Sequence, residues 1–191
     1  LGGVAAGGAN VVVMATETFM QQPTCWMRTI SDYGGTFTAA PNFAYGLAAR
    51  MQALRPAPLN LSSLRIAING AEAIDADALA ATQDVLGRHG FGAHAMCPMY
   101  GLAEATLAVS GDDQDSPVRV VDPIADDEDA RARGGRAAPA RRLVSCGPPV
   151  PGAEIRISDP EGRSLPSGVV GEVLINGPHV TPGYWTAGGR V

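Results

Sequence analysis

Tyr100, Gly101 and Glu104 fall within five residues of one another in the stretch Met99-Tyr100-Gly101-Leu102-Ala103-Glu104-Ala105-Thr106-Leu107. An aromatic ring offers a flat face, and the glycine beside it lets a ligand approach the backbone closely. The carboxylate is a hard oxygen ligand, suited to holding Mg2+ directly or through water against a phosphate. Asn69-Gly70-Ala71-Glu72 closes an earlier apolar run in the same way. Read alone, both patterns also arise from packing. Glu72 equally suits a surface carboxylate or a cap for the helix expected near Asp75. Phe43 and Tyr45 read as core or as pocket wall.

Other chemistries are excluded by what the chain does not contain. All 14 basic residues are arginine, so a Gly-x-x-x-x-Gly-Lys-Ser/Thr phosphate loop cannot form. Gly90-Phe91-Gly92-Ala93-His94-Ala95 imitates a dinucleotide fingerprint, but it leaves a helix and enters a strand, the reverse of the required order. No Gly-x-Ser-x-Gly elbow supports a serine hydrolase. Cys25, Cys97 and Cys146 are odd in number and widely spaced, which argues for reduced thiols over a disulfide framework or a zinc site. His89, His94 and His179 have no acidic or thiol partner at ligand spacing.

The elements that must position these residues alternate. Val11-Val12-Val13-Met14 reads as a short strand, followed by a helix opened by Pro23, with Trp26, Met27 and Ile30 on one face and Gly34-Gly35 at its end. Thr36-Phe37-Thr38 is extended. A helix capped by Asn42 is expected next, with Phe43, Leu47, Met51 and Leu54 on its apolar stripe and Pro56 and Pro58 beyond it. Arg65 to Ile68 reads as a strand, Asp75 to His89 as an amphipathic helix, and Ala93 to Met96 as a strand delivering the tyrosine stretch. This order predicts an α/β fold with a largely parallel sheet flanked by helices, whose strand ends place ligands.

The pattern breaks over residues 112–142, where Asp126 to Asp129 precede Arg131, Arg133 and Arg136. Gly147 to Gly152 forms a rigid connector. Glu154-Ile155-Arg156-Ile157, a turn at Asp159-Pro160-Glu161-Gly162 and Gly171 to Ile175 then read as antiparallel β. The expected division is therefore an α/β part over 1–145 and the start of a β-barrel-like subdomain over 146–191.

Hydrophobic residues make up 46% of the 191-residue chain and charged residues 17%, a globular balance with no apolar run long enough for a membrane span. A net charge of −5 disfavours a nucleic-acid partner. No secretory leader is visible, and a cytoplasmic location is expected. The glycine- and alanine-rich opening without a leading methionine is read as a truncation.

Taken together and in order, Pro41-Asn42-Phe43-Ala44-Tyr45, Asn69-Gly70-Ala71-Glu72, Tyr100 to Leu107, Val144 to Pro149, Gly171 to Ile175 and Gly183-Tyr184-Trp185 resemble the fatty acyl-AMP ligase branch of the AMP-forming adenylate synthetases. The resemblance covers essentially the whole chain. It implies that ATP activates a fatty acid as an acyl-adenylate, which is passed to an acyl carrier protein or a polyketide synthase carrier domain. It places Gly70, Ala71 and Glu72 along the adenine pocket, Tyr100 against the ring, and Gly101, Leu102 and Ala103 in the nucleotide-binding segment. Glu104 becomes the catalytic, Mg2+-side carboxylate, and Asn42, Phe43 and Tyr45 lie on the acid-binding side. Members commonly carry threonine or serine where this chain has Ala103, so that hydroxyl contact to the α-phosphate is missing. The charged stretch at 112–142 falls where the ligase branch carries an insertion; a variable surface loop is the plainer alternative.

The family's lysine-bearing phosphate loop, ribose-binding aspartate motif and C-terminal catalytic lysine have no match in this sequence. The residues are thus expected to be an internal piece of the large N-terminal domain, nearly inactive alone. An acyl-CoA synthetase or peptide-synthetase adenylation domain, and a non-catalytic adenylate-binding or assembly module, remain the alternative readings.

Overall fold

A computed structural model of the chain describes residues 8–112, 117–121 and 142–190. Most of the charged stretch, including Asp126 to Arg136, lies outside the described residues. Among the described residues no helix is long and apolar enough to cross a membrane, and all three cysteines are free.

The organising element is a four-stranded sheet of β1 (Phe37–Ala40), β2 (Ile66–Asn69), β3 (Met96–Gly101) and β4 (Ala108–Gly111), in that spatial order. β1, β2 and β3 run parallel, so each pair requires a crossover. These crossovers are α3 (Asn42–Leu54) and α4 (Ala76–Gly87), which pack against each other. β4 returns antiparallel to β3, with a register shift between Tyr100 and Gly101. The expected α/β class with a largely parallel sheet is what the chain adopts.

Local chemistry accounts for the helix ends. α1 (Thr16–Gln21) precedes α2 (Thr24–Tyr33), which Pro23 opens and Gly34 closes in the left-handed conformation at φ 60. Met27 and Ile30 of α2 are buried, as their spacing predicts. Asp75 caps α4 by accepting hydrogen bonds from the Asp77 and Ala78 amides. Leu79, Thr82 and Leu86 face inward from that helix. The core joins Met27, Tyr45, Ala48, Leu61, Leu86 and Met96. Burial of a side chain such as Leu86 stabilises the fold by about 2 kcal/mol.

Four expectations are corrected. Val11 to Met14 forms no strand, and Val13 is 87% exposed; among the described residues this β-branched run has no neighbouring strand to pair with. The six-residue α1 follows it instead, unanticipated. The cap of α3 is Pro41 rather than Asn42, and its buried face is Asn42, Ala44, Tyr45, Ala48, Ala49 and Gln52. Leu54, placed on the apolar stripe, is exposed, and so is Phe43, which leaves the pocket-wall side of its two readings. Finally, β3 begins at Met96 and carries Tyr100 and Gly101 itself, while Ala93 to Ala95 turn before it.

Beyond the sheet, β5 (Val120–Val121) and β6 (Leu143–Val144) pair antiparallel at the two ends of the charged stretch. The connector binds back onto β4, since Gly111 N–H donates to Pro148 O and Val150 N–H to Val109 O. β7 (Glu154–Ser158) and β8 (Glu172–Asn176) form the expected antiparallel pair. A turn closed by Gly162 N–H to Asp159 O lies between them. A small ribbon of β9 (Trp185–Thr186) and β10 (Gly189–Arg190) follows.

Candidate functional site

Asn42 and Phe43 follow β1, Gly70 to Glu72 follow β2, and Tyr100 to Glu104 end and follow β3. Parallel pairing brings these three carboxyl ends to one edge of the sheet, the side where open α/β sheets bind ligands. The sequence-predicted residues thus converge.

The β2 end is tightly constrained. Asn69 is fully buried, and its Nδ2 donates to Asn42 Oδ1 at 3.2 Å. A Cβ on Gly70 would stand 2.8 Å from Met99 O, so only glycine fits between the β2 and β3 ends. Ala71 follows at φ 67, a left-handed conformation unusual for a residue with a Cβ. Glu72 does not cap the following helix. Its Oε1 accepts from the Phe43 N–H at 2.6 Å, holding the first turn of α3.

On the acid-side segment only Phe43 presents its side chain outward, 52% exposed. Tyr45 is buried against Trp26, with ring centroids 4.9 Å apart. Its hydroxyl donates to Ile68 O at 2.8 Å. Burial pushes that phenol far above its usual range. Tyr45 therefore braces β2 from behind, and Asn42 is likewise occupied with Asn69.

At the β3 end Tyr100 is partly exposed. Gly101 has no room for a side chain, since a Cβ would fall 1.7 Å from Leu107 O. The chain then turns through a 3-10 segment, Ala103–Ala105, anchored by the buried Ala105. Ala103 and Glu104 sit on this turn. Thr106 leaves it at φ 62, a second left-handed non-glycine residue. Such conformations persist only where surrounding bonds hold them.

Those bonds come from a segment that the residue pattern did not single out for any role. Thr106 Oγ1 donates to His179 O at 2.8 Å, and Thr181 N–H donates to Glu104 O at 2.6 Å. The Tyr184 hydroxyl donates to Glu104 Oε1. That bond holds the Glu104 carboxyl below the usual carboxylate range and pushes the Tyr184 phenol up. Tyr184 belongs to the Gly183-Tyr184-Trp185 motif, yet its partner lies 80 residues earlier. Only that motif could have signalled it.

The AMP-binding enzyme family matches residues 1–185. The Mycobacterium tuberculosis protein Rv1013 is 40% identical over 192 aligned residues, which cover 96% of this chain and 35% of that protein. The medium-chain-fatty-acid–[acyl-carrier-protein] ligase JamA of Moorena producens is 36% identical, across 93% of this chain and 31% of its own length. The fatty acyl-adenylate ligase of L. pneumophila, solved with acyl adenylate and pyrophosphate, superposes with a TM-score of 0.80 at 30% identity. The match covers 94% of this chain and 32% of that one. The chain thus spans about a third of the length of these relatives. With its three motif segments gathered at the carboxyl ends of parallel strands, the chain belongs to the AMP-binding enzyme family.

Proposed function

We propose that the protein carrying these residues activates a fatty acid with ATP, forming an acyl-adenylate and releasing pyrophosphate, and passes the acyl group to an acyl carrier protein. The observation that carries this reading is the convergence of Gly70–Glu72, Tyr100–Glu104 and Asn42–Phe43 at one sheet edge. The family match, the fatty-acid substrate in the name of JamA and the acyl adenylate bound to the L. pneumophila ligase support it. The carrier acceptor is taken from JamA, whose name states it. We also read 146–191 as the start of a separate β subdomain and 112–142 as a ligase-type insertion.

In this reaction the acid's carboxylate oxygen attacks the α-phosphorus of ATP, and the bond to the β-phosphate oxygen breaks. Catalysis is positioning plus electrostatics. Tyr100 supplies a face for the adenine, and the turn at Gly70 to Glu72 borders it. Phe43, the outward-facing member of its segment, walls the acid side.

Among the described residues no three acidic, histidine or cysteine side chains could enclose a metal. A single outward carboxylate at Glu104 nonetheless suits Mg2+, which keeps several waters and leans on substrate phosphates. When bound, that ion would neutralise charge on the phosphates. Tyr184 and the 3-10 turn hold the Glu104 carboxylate in one orientation for it.

The test is fatty-acid-dependent exchange of labelled pyrophosphate into ATP by the complete protein. Exchange that requires a fatty acid supports the reading. Exchange driven only by an amino acid, or no exchange with any carboxylic acid, overturns it.

A further inference from the structure

Three links tie the end of β1 and the start of α3 to the end of β2 and the turn after it. Gly70 N–H donates to Ala40 O at 3.4 Å. Asn69 Nδ2 donates to Asn42 Oδ1 at 3.2 Å. Phe43 N–H donates to Glu72 Oε1 at 2.6 Å, between residues 29 positions apart. The first two belong to the sheet and the buried core, whereas the third is made by an exposed side chain. Glu72 reaches back across the site although the helix that follows it, α4, already has its cap in Asp75.

The turn that carries Glu72 has little freedom. Gly70 is pressed to within 2.8 Å of Met99 O, counted from the Cβ it lacks, and Ala71 is left-handed. A displacement of this turn must therefore move the β3 end, the first turn of α3, or both. The Glu72 carboxylate also meets the positive end of α3, where an anion and a charge-assisted N–H bond reinforce each other.

We propose that Glu72 is a positioning residue that couples the nucleotide side of the site to the acid side, so that ATP and the fatty acid favour each other's binding. The proposal rests on the functional reading above for the identity of the two sides. Nucleotide held against the turn at Gly70 to Glu72 fixes the Glu72 carboxylate. That in turn fixes the Phe43 amide and the outward Phe43 ring. Because the linking bond is exposed, the expected coupling lies at the low end of allosteric values, about fivefold.

The experiment uses the complete protein and its Glu72→Ala and Glu72→Gln variants. AMP binding is measured by calorimetry with and without decanoate, and KM is measured separately for ATP and for decanoate. The unsubstituted protein is expected to bind AMP about fivefold more tightly when decanoate is present. Glu72→Ala removes that enhancement and raises both KM values. Glu72→Gln keeps an oxygen acceptor for the Phe43 amide and restores most of it. If Glu72→Ala raises only the KM for ATP and leaves the enhancement intact, Glu72 is an adenine contact alone and the inference is overturned. No fatty-acid-dependent adenylate formation by the unsubstituted protein would overturn the functional reading and the inference with it.

Discussion

At the scale of residues, Glu104 and its partner Tyr184 carry the sharpest expectations. An electrostatic group aimed at charge that builds in the transition state contributes far more to rate than to folding. Glu104→Ala in the complete protein should lower the adenylation rate by about 100-fold or more, while the thermal midpoint moves little. Equal losses of rate and stability would make Glu104 structural. The Tyr184 hydroxyl bond depresses the Glu104 carboxyl, so the charged form persists below the usual carboxylate range. Activity that needs the carboxylate is then present above that depressed value and is lost as pH falls through it. Tyr184→Phe removes the donor, so the acid limb of kcat/KM should move to higher pH. An unchanged acid limb would show that the bond does not govern this carboxylate. Tyr100, Gly101 and Glu104 could be singled out in the sequence as candidates because they fall within five residues. Tyr184 was not, because nothing local in Gly183-Tyr184-Trp185 shows that its hydroxyl reaches a turn 80 residues earlier.

At the scale of elements, the alternation of strands and helices was legible wherever an element had a pattern and a partner. α4 shows both: an inward face at Leu79, Thr82 and Leu86, and a cap at Asp75. Asp75→Ala should cost about 1 kcal/mol, readable as a lowered thermal midpoint with activity otherwise retained. α3 misled because its inner face is built largely from alanines, Ala44, Ala48 and Ala49, where it packs near α4. Small residues allow close helix approach, and large apolar residues such as Phe43 and Leu54 are left outside. Val11 to Met14 misled for the opposite reason: strand propensity without a strand to bond among the described residues. Gly101 had a reason that no pattern reveals, the backbone of Leu107 occupying the space of a Cβ. Gly101→Ala must push Leu107 and the start of β4 away from β3 and should destabilise the protein by about 3 kcal/mol, shifting the turn between them that carries Glu104. A variant of unchanged stability and activity would contradict that packing.

At the scale of the whole molecule, the family was legible because six short motifs occur in order, although each alone is weak. Composition excluded chemistries more than it identified one, the lack of lysine being its most informative feature. The reduced-thiol reading has its own check. Cys97 is buried and its thiol is pushed up by that burial. At pH 8 the Cys97 peptide should remain unlabelled by iodoacetamide in the folded protein and become labelled in denaturant, as read by mass spectrometry. Labelling at equal rates in both states would contradict the packing around β3.

The central claim is that this sheet edge belongs to an enzyme that makes a fatty acyl-adenylate for a carrier protein. The most direct measurement supplies the complete protein with decanoate, ATP and Mg2+, together with equal amounts of free CoA and a phosphopantetheine-loaded carrier protein, and follows the products by mass spectrometry. Acyl-adenylate should appear first and acyl-carrier should then accumulate, with little acyl-CoA. Acyl-CoA as the dominant product, or no acyl-adenylate at all, would contradict the account.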